Sequence, residues 1–223
     1  MDLSRQTNFL NSYGTLTKDN YSMKICIVGC GGSGSPLVEL LVRGGFTHIT
    51  LIDFDVIEKS NLQRQTYLLE NIGKFKSEEL KKRCLSINPE ATITSVIDQV
   101  RKENVDLLLS GQEFIFDATD NFETRFIIDS FAKKKDISWM YLGAIRGEII
   151  CSLMMGEKSQ FDKIISKNAK NEDCSVGVLG STTFIGASIA YSEFLKYLIQ
   201  EEKYESKLIK FNIWNNKFFE VKL

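Results

Sequence analysis

No two cysteines of this chain stand in a C-x-x-C pair; the five are Cys26, Cys30, Cys84, Cys151 and Cys174. Widely spaced and odd in number, they argue against a zinc site and fit a reduced, cytoplasmic setting. No stretch reaches the roughly 18 uninterrupted apolar residues that a membrane span needs. Residues 1–20 are polar and hold no apolar signal core, so no secretory export is indicated. Long basic runs are missing too, and the net charge is −1, so a nucleic-acid partner gains no electrostatic support. Repeats and low-complexity tracts are absent. Histidine occurs once, at His48 just ahead of an apolar run, and is read as structural.

What remains is a chain of 223 residues, long enough for one domain (1–223) with a substantial core. Residues 24–28 form a short, almost fully apolar run before Gly29, as a buried parallel strand does. Residues 35–44 follow with Leu37, Leu40 and Leu41 at helical spacing, opened by Ser35-Pro36 and stopped by Gly44-Gly45. A second strand covers 49–53. The alternation continues with a helix at 76–87, a strand at 92–97, a short helix at 103–109 and a strand at 114–117. A helix at 122–134 and strands at 138–142 and 147–154 come next. Such alternation predicts an α/β fold: a Rossmann-like, doubly wound, mostly parallel sheet with helices on both faces. The polar segment 156–173 is the candidate for a mobile crossover loop, and a long apolar helix is expected over 178–200. The tail alternates around Asn215-Asn216 as a β-hairpin, giving C-terminal antiparallel strands. Residues 1–22 are expected to form an N-terminal helical segment.

The chemistry gathers behind the first strand. Gly29, Gly31, Gly32 and Gly34 stand between strand and helix, where backbone N–H groups approach an anion and the helix N-terminus adds partial positive charge. That spacing fits NAD and ATP equally. Asp53 ends the second strand, where a carboxylate accepts bonds from ribose hydroxyls in either nucleotide. Asp55, two positions on, is expected to point the same way along an extended strand; a solvated loop acid is the competing reading. Residues 60–67, SNLQRQTY, add a polar cluster around Arg64, which suggests a triphosphate rather than a dinucleotide.

With the glycine loop, the run DFDVIEKSNLQRQ over 53–65 closely resembles the ThiF/MoeB/HesA family and the adenylation domains of ubiquitin-activating enzymes. Further matches are GKFK at 73–76, ATDNFETR at 118–125 and GAIR at 143–146, with SRQ at 4–6 as the opening element. Nearly the whole chain is covered. The resemblance implies ATP-dependent adenylation of the C-terminal carboxylate of a ubiquitin-like sulfur carrier ending in Gly-Gly, in a thiamin or molybdopterin type of pathway. It implies that Arg64 and Lys76 contact the triphosphate, that Asn61 and Gln65 position it, and that Asp120 holds Mg²⁺. An N-cap role for Asp120 or Asn121 competes with the metal reading. Arg125 falls at the family's helix arginine, with a plain surface position as the alternative. In family homodimers the arginine matching Arg5 reaches into the partner's site, and Cys174 lies where sulfur-carrying members place a reactive cysteine. Flanking Glu172 and Asp173 disfavour a thiolate there, and an ordinary loop cysteine is the competing reading.

The chain departs from many bacterial relatives in lacking their two C-x-x-C pairs, so ATP and Mg²⁺ are the expected cofactors and zinc is not. Other readings stay open: adenylation of a peptide or a modified tRNA base, a non-catalytic partner subunit of an activating enzyme, or a nicotinamide-dependent oxidoreductase. The last leaves Asn61, Gln65 and Asp120 unused.

Overall fold

The run KICIV sits at the centre of the molecule as strand β1 (Lys24–Val28), with Ile25, Cys26 and Ile27 wholly buried. A strand that is apolar on both sides needs cover on both faces, and the sheet supplies it. The structure, a computed structural model, describes residues 1–166, 177–200 and 203–223. Beside β1 lie β2 (His48–Ile52) and β4 (Phe114–Asp117), both parallel to it. Strands β3 (Thr92–Val96) and β5 (Ser138–Ile145) extend the parallel part outward. From β5 the sheet turns antiparallel through β6 (Glu148–Met154), β7 (Lys207–Asn212) and β8 (Lys217–Lys222). The order is β3-β2-β1-β4-β5-β6-β7-β8.

Successive side chains of a strand point to opposite faces, and two separate cores follow from that alternation. Ile25 and Ile27 of β1, with Phe114 and Phe116 of β4, pack into the first core. It is closed by Leu37 and Leu41 of α3 (Gly34–Arg43), Leu80 of α4 (Lys76–Ile87) and Phe194 of α8 (Gly180–Gln200). Cys26 and Val28, with Ile115, Trp139 and Tyr141, face the second core, covered by Ile128 and Phe131 of α6 (Phe122–Lys135). The long apolar helix expected near 178–200 is α8. Its Gly186 lies against the sheet, where a Cβ would stand 3.4 Å from Leu142 Cδ1.

The N-terminal segment folds as two short helices, Ser4–Leu10 and Lys18–Ser22. Gln6 fastens the first of them to the far end of α3: its Nε2 donates to Gly44 O at 3.1 Å, and its Oε1 accepts from Tyr191 Oη at 2.9 Å.

One expectation is corrected. Within the loop expected at 156–173, a 3-10 turn (Gly156–Lys158) leads into a helical turn, Phe161–Ile164. Phe161 is 0% exposed, with its ring about 5 Å from those of Phe126, Trp139 and Tyr141 (5.1, 5.1 and 5.3 Å). Phe161, with Ile164 and Ile165 packed beside it, is a plug for the second core. Cys174, Glu172 and Asp173 lie outside the described residues. No helix among the described residues is long and apolar enough to cross a membrane.

Candidate functional site

The parallel strands end together on one side of the sheet, and the chain behind β1 turns there at Gly29. Its φ is +93°, and a Cβ would stand 2.7 Å from Ala118 O, so only glycine fits. A Cβ on Gly34 would lie 1.9 Å from Gly29 O, and one on Gly32 would lie 2.8 Å from Thr183 Cγ2. Gly31 differs: the nearest atom to its imagined Cβ is Gln65 Nε2 at 3.8 Å. The first three positions exclude a side chain by crowding, whereas Gly31 borders open space. Ser33, the residue before α3, makes no side-chain cap bond. The Ser35 N–H donates to Gly31 O at 3.0 Å, and Pro36 carries no N–H. That leaves the Gly34 N–H as the one in the first turn without an acceptor among the described residues.

Asp53 braces this loop. Its Oδ2 accepts from Cys30 N at 2.6 Å and its Oδ1 from Asp55 N at 2.8 Å. Burial pushes the Asp53 carboxyl up, and the nearby Lys76 charge pulls it part of the way back. Asp53 and Asp55 both line the same cleft. Strand β2 stops at Ile52, so strand alternation does not govern these residues, and Asp55 turns to pair with Lys76 Nζ at 2.7 Å. Lys76 opens α4 and is buried, its own N–H donating to Asp55 O at 2.9 Å.

The cluster at 60–67 folds over the glycine loop from a 3-10 turn, Lys59–Asn61. Asn61 Oδ1 accepts from Glu58 N at 3.1 Å and so closes that turn. Arg64 is half-buried, held by its Nη1 donating to Ser60 O at 3.0 Å, and its backbone carbonyl accepts from Thr183 Oγ1 at 3.1 Å. Gln65 is buried beside Gly31 with its Oε1 unpartnered among the described residues.

On the far wall, Asn121 caps α6 by accepting from Thr124 N at 2.8 Å. That assigns the cap to Asn121 and leaves Asp120 exposed to the opening. Arg125 is buried, which removes the surface alternative. Its guanidinium lies over the rings of Phe122 and Tyr141 at 5.0 and 4.8 Å, it donates to Thr119 O, and its Nε is 3.8 Å from Asp117 Oδ2. Burial pushes the Asp117 carboxyl up, opposed first by Arg125.

These walls enclose a cleft of about 670 Å³. Gly29, Gly31, Gly32, Asp53, Asp55 and Asn61 line it, as do Arg64, Gln65, Lys76, Asp120 and Arg125. Gly34 lies behind the lining, packed on Gly29. Arg5 is exposed on the first helix, which is fastened at the opposite end of α3, and does not reach the cleft of its own chain. Thr183 and Tyr141 also line the cleft, and no local motif announced either. The four described cysteines are buried, and burial pushes every one of their thiols up, that of Cys84 to about 12.

Comparison with known proteins agrees with this geometry. The model of the ThiF family matches residues 3–223. The chain is 37% identical over 126 residues to a tRNA threonylcarbamoyladenosine dehydratase of Haemophilus influenzae, covering 56% of this chain and 48% of that protein. It is 31% identical over 203 residues to the sulfur carrier protein ThiS adenylyltransferase of Bacillus subtilis, covering 88% of this chain and 60% of that protein. The chain thus spans about half to three-fifths of the length of these two relatives. In fold it is similar to the crystal structure of E. coli MccB, with a TM-score of 0.83 at 19% identity over 100% of this chain and 69% of that one.

Proposed function

The chain belongs to the ThiF family, and on that premise we propose that it is an ATP-dependent adenylyltransferase acting on a carboxylate. The observation that carries the reading is the composition of one cleft. The glycine loop, with the Gly31 N–H unaccepted among the described residues, stands in one cleft with Arg64 and Lys76, and Asp120 stands free on the opposite wall. A dinucleotide site needs the loop and Asp53 but has no use for the rest.

The proposed reaction joins two anions. A carboxylate oxygen attacks the α-phosphorus of ATP, the bond to the bridging oxygen breaks, and pyrophosphate leaves with the acyl-adenylate as the other product. Fixed cations must hold the phosphates and stabilise the charge that develops on the leaving group. Arg64 offers a fork that meets two phosphate oxygens, while Lys76 offers a point charge. In this geometry Lys76 is neutralised by the half-exposed Asp55, a partner that a phosphate replaces by competition. The open face of Gly31 and the buried amide of Gln65 receive the phosphate chain; Asp53 takes the ribose side.

The acidic groups fit a magnesium ion carried by the nucleotide. Asp120 is one hard oxygen donor without a capping duty, and no cluster of three metal-binding side chains exists among the described residues. Mg²⁺ demands few protein ligands when phosphates and water supply the rest. When bound, it would neutralise charge on the phosphates, with Asp120 as its protein ligand.

The substrate we infer is the C-terminal Gly-Gly of a ubiquitin-like sulfur carrier, the class named for the Bacillus subtilis relative. A cytoplasmic homodimer in which Arg5 serves the neighbouring site belongs to the same reading. A carboxylate on a modified tRNA base is the second reading, favoured by the 37% identity to the dehydratase. Mg²⁺-dependent exchange of radiolabelled pyrophosphate into ATP, measured with candidate carrier proteins, tests the first. Asp120→Ala should lower exchange at least about a thousandfold without moving the melting temperature by more than about 2 °C. Exchange at the unaltered rate would remove Asp120 from the site.

A further inference from the structure

Tyr67 closes the cluster at 60–67, yet nothing in the proposed reaction uses it. Its ring is buried, and its hydroxyl lies 2.7 Å from Cys30 O and 3.2 Å from Lys76 O. A phenol has one proton to donate, so the two carbonyls share a single donor, with the shorter bond going to Cys30. Those carbonyls belong to the two halves of the cleft's anion-binding wall: the glycine loop and the start of α4.

The peptide bond turns this contact into a direction. A trans peptide is planar, and the C=O of one residue points opposite to the N–H of the next. No cis peptide occurs among the described residues. Drawing Cys30 O toward Tyr67 therefore turns the Gly31 N–H the other way. Gly31 lines the cleft, and among the described residues no acceptor takes its N–H. On its other side, the Cys30 N–H is held by Asp53 Oδ2 at 2.6 Å. Cys30 is thus clamped at both its N–H and its C=O. With that peptide fixed, the free N–H of Gly31 is fixed too.

We propose that Tyr67 is a positioning residue: its hydroxyl aims the Gly31 N–H at the phosphates of the bound nucleotide and keeps the glycine loop in register with Lys76. It touches no ligand itself. The inference rests on the nucleotide reading above and adds a requirement specific to phosphate. Adenosine, bound through base and ribose, gains nothing from the Gly31 N–H, whereas ATP does. Discrimination between the two is the signature.

The test is calorimetric titration of the intact chain, wild type and Tyr67→Phe, with ATP and with adenosine. The substitution removes one oxygen and leaves the ring, so the packing survives. ATP should bind the variant about tenfold more weakly, the scale of one lost hydrogen bond to the phosphate wall, while adenosine binds unchanged. Equal affinity of both proteins for ATP would overturn the proposal. So would an equal loss for ATP and adenosine, which would mean general loosening. Tyr67→Leu, which also removes the ring, gives a second reading: sparing ATP affinity in either variant sinks the inference. If wild type binds no ATP, the nucleotide reading fails first and takes the inference with it; the wild-type titration separates the two failures.

Discussion

The centre of the parallel half of the sheet and the outer edge of the antiparallel half treat their apolar side chains in opposite ways. In the parallel half, Phe114, Ile115 and Phe116 of β4 are all 0% exposed, covered by helices on both faces. In the antiparallel half, the outer strand β8 leaves Phe218, Phe219 and Val221 55%, 57% and 59% exposed. The site gathers at the ends of the parallel strands and reaches β6 at Glu148 and Ile150. Residues that must be held to within a fraction of an ångström stand where packing already fixes the backbone. The outer hairpin has no such duty, and its sequence could be read as a hairpin only because Asn215-Asn216 interrupts the alternation.

The comparison breaks most decisively at a pair of phenylalanines. Phe116→Ala should lower stability by about 3–5 kcal/mol, since its ring packs on Phe114 and Phe194 with centroids 4.9 and 5.1 Å away. Phe219→Ala should change it by less than about 0.5 kcal/mol. Urea unfolding followed by far-ultraviolet dichroism measures both, and similar losses would mean that β8 is covered in solution.

Backbone conformation gives a second contrast. Gly29→Ala places a Cβ at φ +93° and 2.7 Å from Ala118 O, and should cost about 2 kcal/mol together with most of the ATP affinity. Asn216 adopts φ +56° in the exposed hairpin turn, a conformation asparagine tolerates, and Asn216→Ala should cost under about 1 kcal/mol with ATP binding intact. A loss of ATP binding in the hairpin variant would join the two halves that the fold keeps apart.

The smallest effect lies at the border. Glu148 lines the cleft but pairs across to Lys210 Nζ at 2.9 Å, and that hydrogen bond holds its carboxyl below the ordinary 4.5. A depressed acid stabilises the fold above its unfolded value and loses that contribution as pH falls through the folded one. Wild type should therefore melt about 1–3 °C above Glu148→Gln at pH 7, a gap that narrows as pH falls below 4.5 and closes beneath the folded value. A gap undiminished at about pH 3 would assign the difference to something other than charge.

Much of this was legible in the chain, and the exceptions share a cause. The bounds of the helix at 76–87 and the strand at 114–117 agree with Lys76–Ile87 and Phe114–Asp117, because each is an apolar or periodic run between clear breaks. The glycines showed where the backbone must come close, but not that Gly31 alone leaves room. The pairing of Asp55 with Lys76 was not legible, because the two stand 21 residues apart and meet only through the fold. Phe161 was missed because the apolar spacing of Phe161, Ile164 and Ile165 spans a single turn within a polar stretch. Thr183 contacts Arg64 from 119 residues away, and no local pattern encodes so distant a contact. Arg125 could be placed on its helix, yet its burial between Phe122 and Tyr141 depends on a strand formed later in the chain.

The position of β1 also has a consequence in time. Ile25 faces Ile49 on one side and Phe114 on the other, so its second neighbour arrives only after a long loop has been gathered. Asn212 meets Lys217 across a turn at 213–216 and needs no such search. Pairings of high sequence separation form slowly, so the outer hairpin can assemble early while the central strands wait. The cleft is lined from Val28 to Thr183 and so depends on those distant pairings. A ligand of that cleft acts on the finished fold, slowing its loss rather than guiding its formation.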